Sequence, residues 1–126
     1  MKRPVWLLRE TVVALHDQLL IAFGGPSGIR DEGLLESALA RPENKFAYSK
    51  PNLFDLAAAY AFGLIKDHPF VDGNKRVGFA CAVVFLELNG RVFEANEADA
   101  IIQTIALAAG EMSEGTYAAW MKKNSR

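Results

Sequence analysis

Apolar residues recur every three or four positions along most of this chain, the spacing that places them on one face of an α-helix. Val12, Leu15, Leu19 and Phe23 predict an amphipathic helix from about Arg9 to Phe23, stopped by Gly24-Gly25-Pro26. His16 falls at the edge of that face, as a packed or surface histidine rather than a ligand. Asp31 offers an N-cap to a short second helix with Leu34, Leu35, Ala38 and Leu39 inward. Arg41-Pro42 is expected to end it, because the residue before a proline is pushed out of the helical region. Beyond it, Phe46 and Tyr48 alternate with Lys45, Ala47 and Ser49, which suggests a short extended or hairpin segment over 43–50.

Two helices that are apolar almost all round follow. Asn52 caps the first, with Asp55 favouring its positive end, and the run from Leu53 to Ile65 reads as a helix surrounded by others. The second begins at Asn74, runs to Leu88 and stops at Asn89-Gly90. Gly63 and Gly78 lie inside these helices, where a glycine costs about 1 kcal/mol against alanine. Close helix approach is the reason to expect them there. After a short extended piece, Arg91-Val92-Phe93, Asn96 caps a fifth helix whose Ala98, Ile101, Ile102, Ile105 and Ala109 form one apolar stripe, taken as its inward face. Ser113 caps a last helix that buries Tyr117, Trp120 and Met121 and ends with Lys122 and Lys123 near its negative end. The pattern therefore predicts an all-α fold, a compact bundle of about six helices in a single domain over residues 1–126, with at most a small β element.

Composition narrows the function classes. At 126 residues, 51% hydrophobic and 23% charged, the chain has the content of a globular protein with one core. Its net charge of −1 argues against a general nucleic-acid or anionic-membrane binder, since both need a basic excess. The lone Cys81, inside Phe79-Ala80-Cys81-Ala82-Val83, excludes an internal disulfide and reads as a small core thiol. Lys2 and Arg3 precede an apolar stretch that ends at Arg9 and Glu10, too short for a signal peptide. The longest apolar run, Val77 to Leu86, is shorter than the ~18 residues of a membrane span. A cytoplasmic protein is the expectation.

The chemistry concentrates between the two apolar helices, in His68-Pro69-Phe70-Val71-Asp72-Gly73-Asn74-Lys75-Arg76. Unpaired N–H groups at the start of the helix at Asn74, with Gly73 leaving room for a close approach, form a candidate cradle for a phosphate. Lys75 and Arg76 in the first helical turn oppose the macrodipole unless an anion is bound. Asp72 supplies a hard oxygen ligand of the kind that holds Mg²⁺ beside phosphates, and His68 is of the residue type most often used as a general base. Each residue also has a bland reading: an Asp-Gly-Asn turn, a His-Pro helix stop, two solvated charges. Their concentration between helices that carry almost no other charge favours a site. A transition-metal centre on His68 and Asp72 is the weaker rival, because two ligands leave the shell incomplete.

This stretch resembles the motif of the Fic/Doc family, whose Fic members read His-Pro-Phe, any residue, an acid, Gly-Asn, Gly or Lys, then Arg. The segment Ala14 to Asp17, the Gly-Gly-x-x-Gly-Ile-Arg-Asp loop from Gly24 to Asp31 and the helix order extend the resemblance, to the death-on-curing (Doc) branch, along most of the chain. The resemblance implies an all-α fold in which His68 deprotonates a target hydroxyl, Asp72 binds Mg²⁺, Gly73 and Asn74 shape the anion pocket, and Arg76 holds phosphates. It makes Phe70 the residue that fixes the loop and 43–50 a flap that aligns the target. AMP-transferring Fic enzymes usually have glycine where this chain has Lys75 and a second arginine where it has Phe79. In the Doc branch, which has the lysine, the nucleotide is understood to bind reversed, so transfer of the γ-phosphoryl group of ATP is favoured over AMP transfer. The branch further implies a toxin that phosphorylates elongation factor Tu and is held by a partner antitoxin. The self-inhibitory pattern of many Fic proteins, Ser or Thr four residues before Glu-Gly or Glu-Asn, is missing: Gly28, Leu39 and Gly110 precede Glu32, Glu43 and Glu114 at that distance. AMP transfer and a catalytically silent binding module remain the alternatives.

Overall fold

The computed structural model describes residues 3–126, so Lys2 of the basic N-terminal pair lies outside the described residues. Among the described residues there are six helices: α1 (Arg9–Phe23), α2 (Glu32–Tyr48), α3 (Leu53–Asp67), α4 (Asn74–Leu88), α5 (Glu97–Ala108) and α6 (Glu114–Lys123). Helix α3 is central because its sequence is apolar on every side. Leu56, Ala57, Ala58, Ala59, Tyr60, Ala61 and Leu64 are all buried, against α2, α4 and α6. Burying each large side chain stabilises the fold by about 1.5–3 kcal/mol. A capping box starts the helix, with Asn52 accepting from the Asp55 amide and Asp55 accepting from that of Asn52.

The two helix-interior glycines are contact points. A Cβ at Gly63 would stand 3.2 Å from the Ala38 carbonyl oxygen of α2, and one at Gly78 only 2.9 Å from Ile65 Cγ1 and 3.1 Å from the Ala61 carbonyl oxygen of α3. Tyrosine and cysteine groups in the core are held neutral. Tyr60 accepts a hydrogen bond from the Leu7 amide at 3.1 Å, and burial pushes its phenol up to about 12 despite that bond. Cys81 is buried and its thiol is likewise pushed up to about 12, as befits a core thiol.

Two expectations are overturned. Residues 43–50 do not form an extended or hairpin flap, since α2 runs through Pro42 as far as Tyr48. A proline inside a helix costs about 3 kcal/mol, partly from the lost bond to the residue four earlier. Tertiary contacts on both sides of it offset that cost: Arg41 and Lys45 reach Glu114 at the start of α6, and Phe46 packs edge-on against Trp6. The second correction concerns α5, whose inward face is Ala100, Thr104 and Leu107. The stripe Ala98, Ile101, Ile102, Ile105 and Ala109 faces outward, with Ile102 62% exposed. Polar pairs rather than these isoleucines attach α5 to α6: Thr104 shares a 3.0 Å hydrogen bond with the Tyr117 hydroxyl, and Trp120 Nε1 donates to Asp99 at 2.8 Å. In the last helix Tyr117 and Met121 are buried as expected and Trp120 half-buried. The extended piece at Phe93 pairs with Ser125 near the C-terminus. No described helix is long and apolar enough to cross a membrane.

Candidate active site at the junction of two core helices

The chain turns between α3 and α4 on two residues in the left-handed region. Gly73 (φ 78°) is the N-cap of α4, a conformation open to glycine at little cost. His68 (φ 55°, ψ 52°) ends α3 and is the only non-glycine residue with positive φ among the described residues. Such a conformation costs a residue with a Cβ about 1–2 kcal/mol, so surrounding contacts must hold it.

Those contacts come from the loop before α2. Arg30 Nε donates to the His68 carbonyl at 2.7 Å and its Nη2 to the Asp67 carbonyl at 3.0 Å. The amides of Arg30 and Asp31 both donate to the Pro69 carbonyl, and the Val71 amide donates to that of Gly28 at 3.0 Å. Ile29 and Phe70 thereby form an isolated antiparallel bridge. The Gly24–Asp31 loop is thus a strap along the motif.

Inside the turn, Asn74 is 3% exposed, and its side chain both accepts from the Phe70 amide and donates to the Phe70 carbonyl, each at 3.0 Å. The asparagine locks the loop, leaving its backbone N–H as what it offers a ligand. Phe70 is buried under His16, with ring centroids 3.8 Å apart and planes 11° from parallel. His16, itself 1% exposed, bonds through Nε2 to the Asp72 carbonyl at 2.7 Å. A carbonyl only accepts, so Nε2 carries the proton.

Asp72, Lys75 and Arg76 are exposed, and the Arg76 guanidinium lies over the Phe23 ring at 4.5 Å, a cation–π contact of about 0.5–1 kcal/mol. Gly73 brings no side-chain cap to α4, and the first turn holds no acid, so its positive end faces outward uncompensated. His68, Asp72, Gly73, Asn74, Lys75 and Arg76 all line one groove of about 900 Å³, together with Phe79 and Val83 of α4, Ile101 and Ile105 of α5, and Phe23 of α1. An imidazole, a carboxylate, two cations and a helix N-terminus thus stand beside an apolar wall, an arrangement that offers an anion its charges and an apolar group its wall. A second pocket of about 500 Å³ has its Arg41, Lys45 and Glu114 paired with one another.

A model of the Fic/DOC family matches residues 6–86, well over half of the chain and all of this motif. The chain belongs to the Fic/Doc family. Among similar proteins, the protein kinase doc of Escherichia phage P1 is 33% identical over 116 residues, covering 90% of each chain. The toxin Doc of Mycolicibacterium smegmatis is 45% identical over 89 residues, 68% of this chain and 65% of that one. Both are Doc proteins, in keeping with the branch the motif resembles.

In this Fic/Doc chain the six motif residues expected at the site stand together. Three supports outside the motif were not legible as such. Arg30 lay in a recognised loop without a role, His16 looked like any packed histidine, and Gly25, whose Cβ would lie 2.7 Å from Asp72 Oδ2, looked like a helix stop. Each reaches the motif from 38 or more residues away in sequence where the bond is direct, as for Arg30 and His16, so local spacing carries no trace of it.

Proposed function

We propose that the chain is a toxin that transfers the γ-phosphoryl group of ATP to a hydroxyl side chain of a translation factor of the elongation factor Tu kind, and that a cognate antitoxin restrains it. The observation that carries this reading is the groove in which His68, Asp72, Lys75 and Arg76 meet the uncapped start of α4. In the transfer, the target oxygen forms a bond to the γ-phosphorus as the bond to the β-phosphate oxygen breaks. ADP leaves, and the hydroxyl proton passes to His68. Lys75, Arg76 and the α4 amides neutralise the phosphate charge, which is most of what phosphoryl transfer asks of a protein.

Asp72 fits a Mg²⁺ ion that keeps water and phosphate oxygens as its other ligands. Among the described residues no three His, Cys, Asp or Glu side chains converge to enclose a metal, and one carboxylate beside phosphates is how Mg²⁺ is commonly held. When bound, it would offset charge on the β- and γ-phosphates.

Lys75 and the apolar Phe79, packed edge-on against Phe93, favour phosphoryl over AMP transfer, since the positions that accommodate the outer phosphates in AMP-transferring relatives are filled differently here. The name of the phage P1 relative, a protein kinase, points the same way. The outward isoleucines of α5 give a partner chain an apolar face beside the groove, which supports restraint by an antitoxin.

The test is incubation with cell extract, Mg²⁺ and ATP labelled separately at the α and γ positions. Label from the γ position should enter one protein of the translation machinery, and His68→Ala should slow this by about 10²–10⁴-fold, the range for a general base. Transfer of the α label would make the protein an AMP transferase. Transfer of neither, with no growth effect of His68→Ala, would make it a binding module.

A further inference from the structure

His68 sits in the left-handed region at the end of α3, a conformation that is uncommon for a residue with a Cβ even though histidine is enriched in it, so it calls for support from outside the turn. The Arg30 guanidinium supplies what is lacking. It donates to the last two carbonyls of the turn, Asp67 and His68, at 3.0 and 2.7 Å. A cation at a helix C-terminus also meets the negative end of the macrodipole. The main chain of Arg30 is held independently by the Pro69 carbonyl at 2.7 Å, and Asp31 next to it caps α2. The side chain therefore starts from a fixed point. Arg30 itself is exposed and does not line the groove.

We propose that Arg30 is a positioning residue for the transfer step: by clamping the turn at Asp67 and His68 it sets where the base stands, without taking part in nucleotide binding. This rests on His68 being the base. The other half of the motif has its own supports, His16 on Asp72 and Asn74 on Phe70, so loss of the Arg30 clamp leaves the phosphate cradle in place. Base placement and nucleotide affinity become separable.

The experiment compares wild type, Arg30→Met, Arg30→Lys, Arg30→Ala and His68→Ala by kcat for phosphoryl transfer and by Kd for a non-hydrolysable ATP analogue with Mg²⁺, with thermal melting of each. Arg30→Met should lower kcat at least tenfold and change the analogue Kd by less than twofold. Arg30→Lys, which keeps the positive charge without the planar fork, should fall between. Added methylguanidinium should restore part of the lost kcat in Arg30→Ala, because the site is open to solvent, and should leave His68→Ala unchanged. A merely structural arginine would give variants with lowered melting and weakened analogue binding, and no rescue. Unchanged kcat in Arg30→Met with His68→Ala inactive overturns the positioning role alone. Full activity in His68→Ala overturns the reading of the base on which it rests.

Discussion

Gly25 shows how a residue without a side chain bears on the chemistry. A methyl group there would lie 2.7 Å from Asp72 Oδ2, too close to remain. The carboxylate is the rotatable end of a side chain, so it would swing away at small cost to the fold. The backbone at Gly25 (φ 119°) adds strain for any residue with a Cβ. Gly25→Ala should therefore raise the Mg²⁺ concentration for half-maximal transfer by about tenfold, the order expected when a ligand's support is disturbed. A Mg²⁺ titration of activity checks this, and a curve that superimposes on wild type would remove Asp72 from the metal role. His16 acts at the same scale from the other side. Its stacking on Phe70 and its bond to the Asp72 carbonyl hold the turn that Gly73 makes possible.

At the scale of elements, the site depends on how closely α4 lies on α3, because the two carry the two ends of the motif. Gly78 is where they approach. Alanine there would gain about 1 kcal/mol of helix propensity. Its Cβ would meet Ile65 and the Ala61 carbonyl oxygen at 2.9 and 3.1 Å, and the backbone atom has no rotamer to escape into. Overpacking of this kind costs about 1–3 kcal/mol. Gly78→Ala should thus be destabilised by up to about 2 kcal/mol, read as a lower urea midpoint at constant slope. A raised midpoint would show that the helices have room to spare. Helix α5 illustrates the opposite case, an element whose apolar face is left outside. Its periodicity revealed an amphipathic helix but carried no information on which neighbour the face meets, and Ala100, Thr104 and Leu107 took the inward place.

For the whole molecule, α2 and α6 are tied by a carboxylate shared between Arg41 and Lys45. Burial by itself would raise the Glu114 carboxyl, but the bonds from Lys45 and Arg41 outweigh it and hold it below the usual glutamate range. A carboxyl depressed in the folded state adds stability above its unfolded pKa and loses it as the pH falls through the folded one. Glu114→Gln should accordingly lower stability by about 1 kcal/mol at neutral pH, since both cations are partly exposed, and flatten the decline in mild acid. Urea unfolding across that range tests it. An acid limb parallel to wild type would exclude Glu114 as its source.

What the sequence determined by itself was local in origin. Helix positions followed from periodicity, starts and stops from Asn52, Asn96 and Asn89-Gly90, and the site from nine consecutive residues whose types match one chemistry. Each of these is encoded within a turn or two of chain. Tertiary structure decided the rest. It carried α2 through Pro42 because Glu114 and Trp6 wait beyond it, turned Ile101 and Ile105 of α5 toward the groove, and brought Arg30 and His16 onto His68 and Asp72 across 38 and 56 residues. The physical reason is the same in each case. A local preference of a few kcal/mol yields when distant groups, brought near only by folding, supply contacts of equal size.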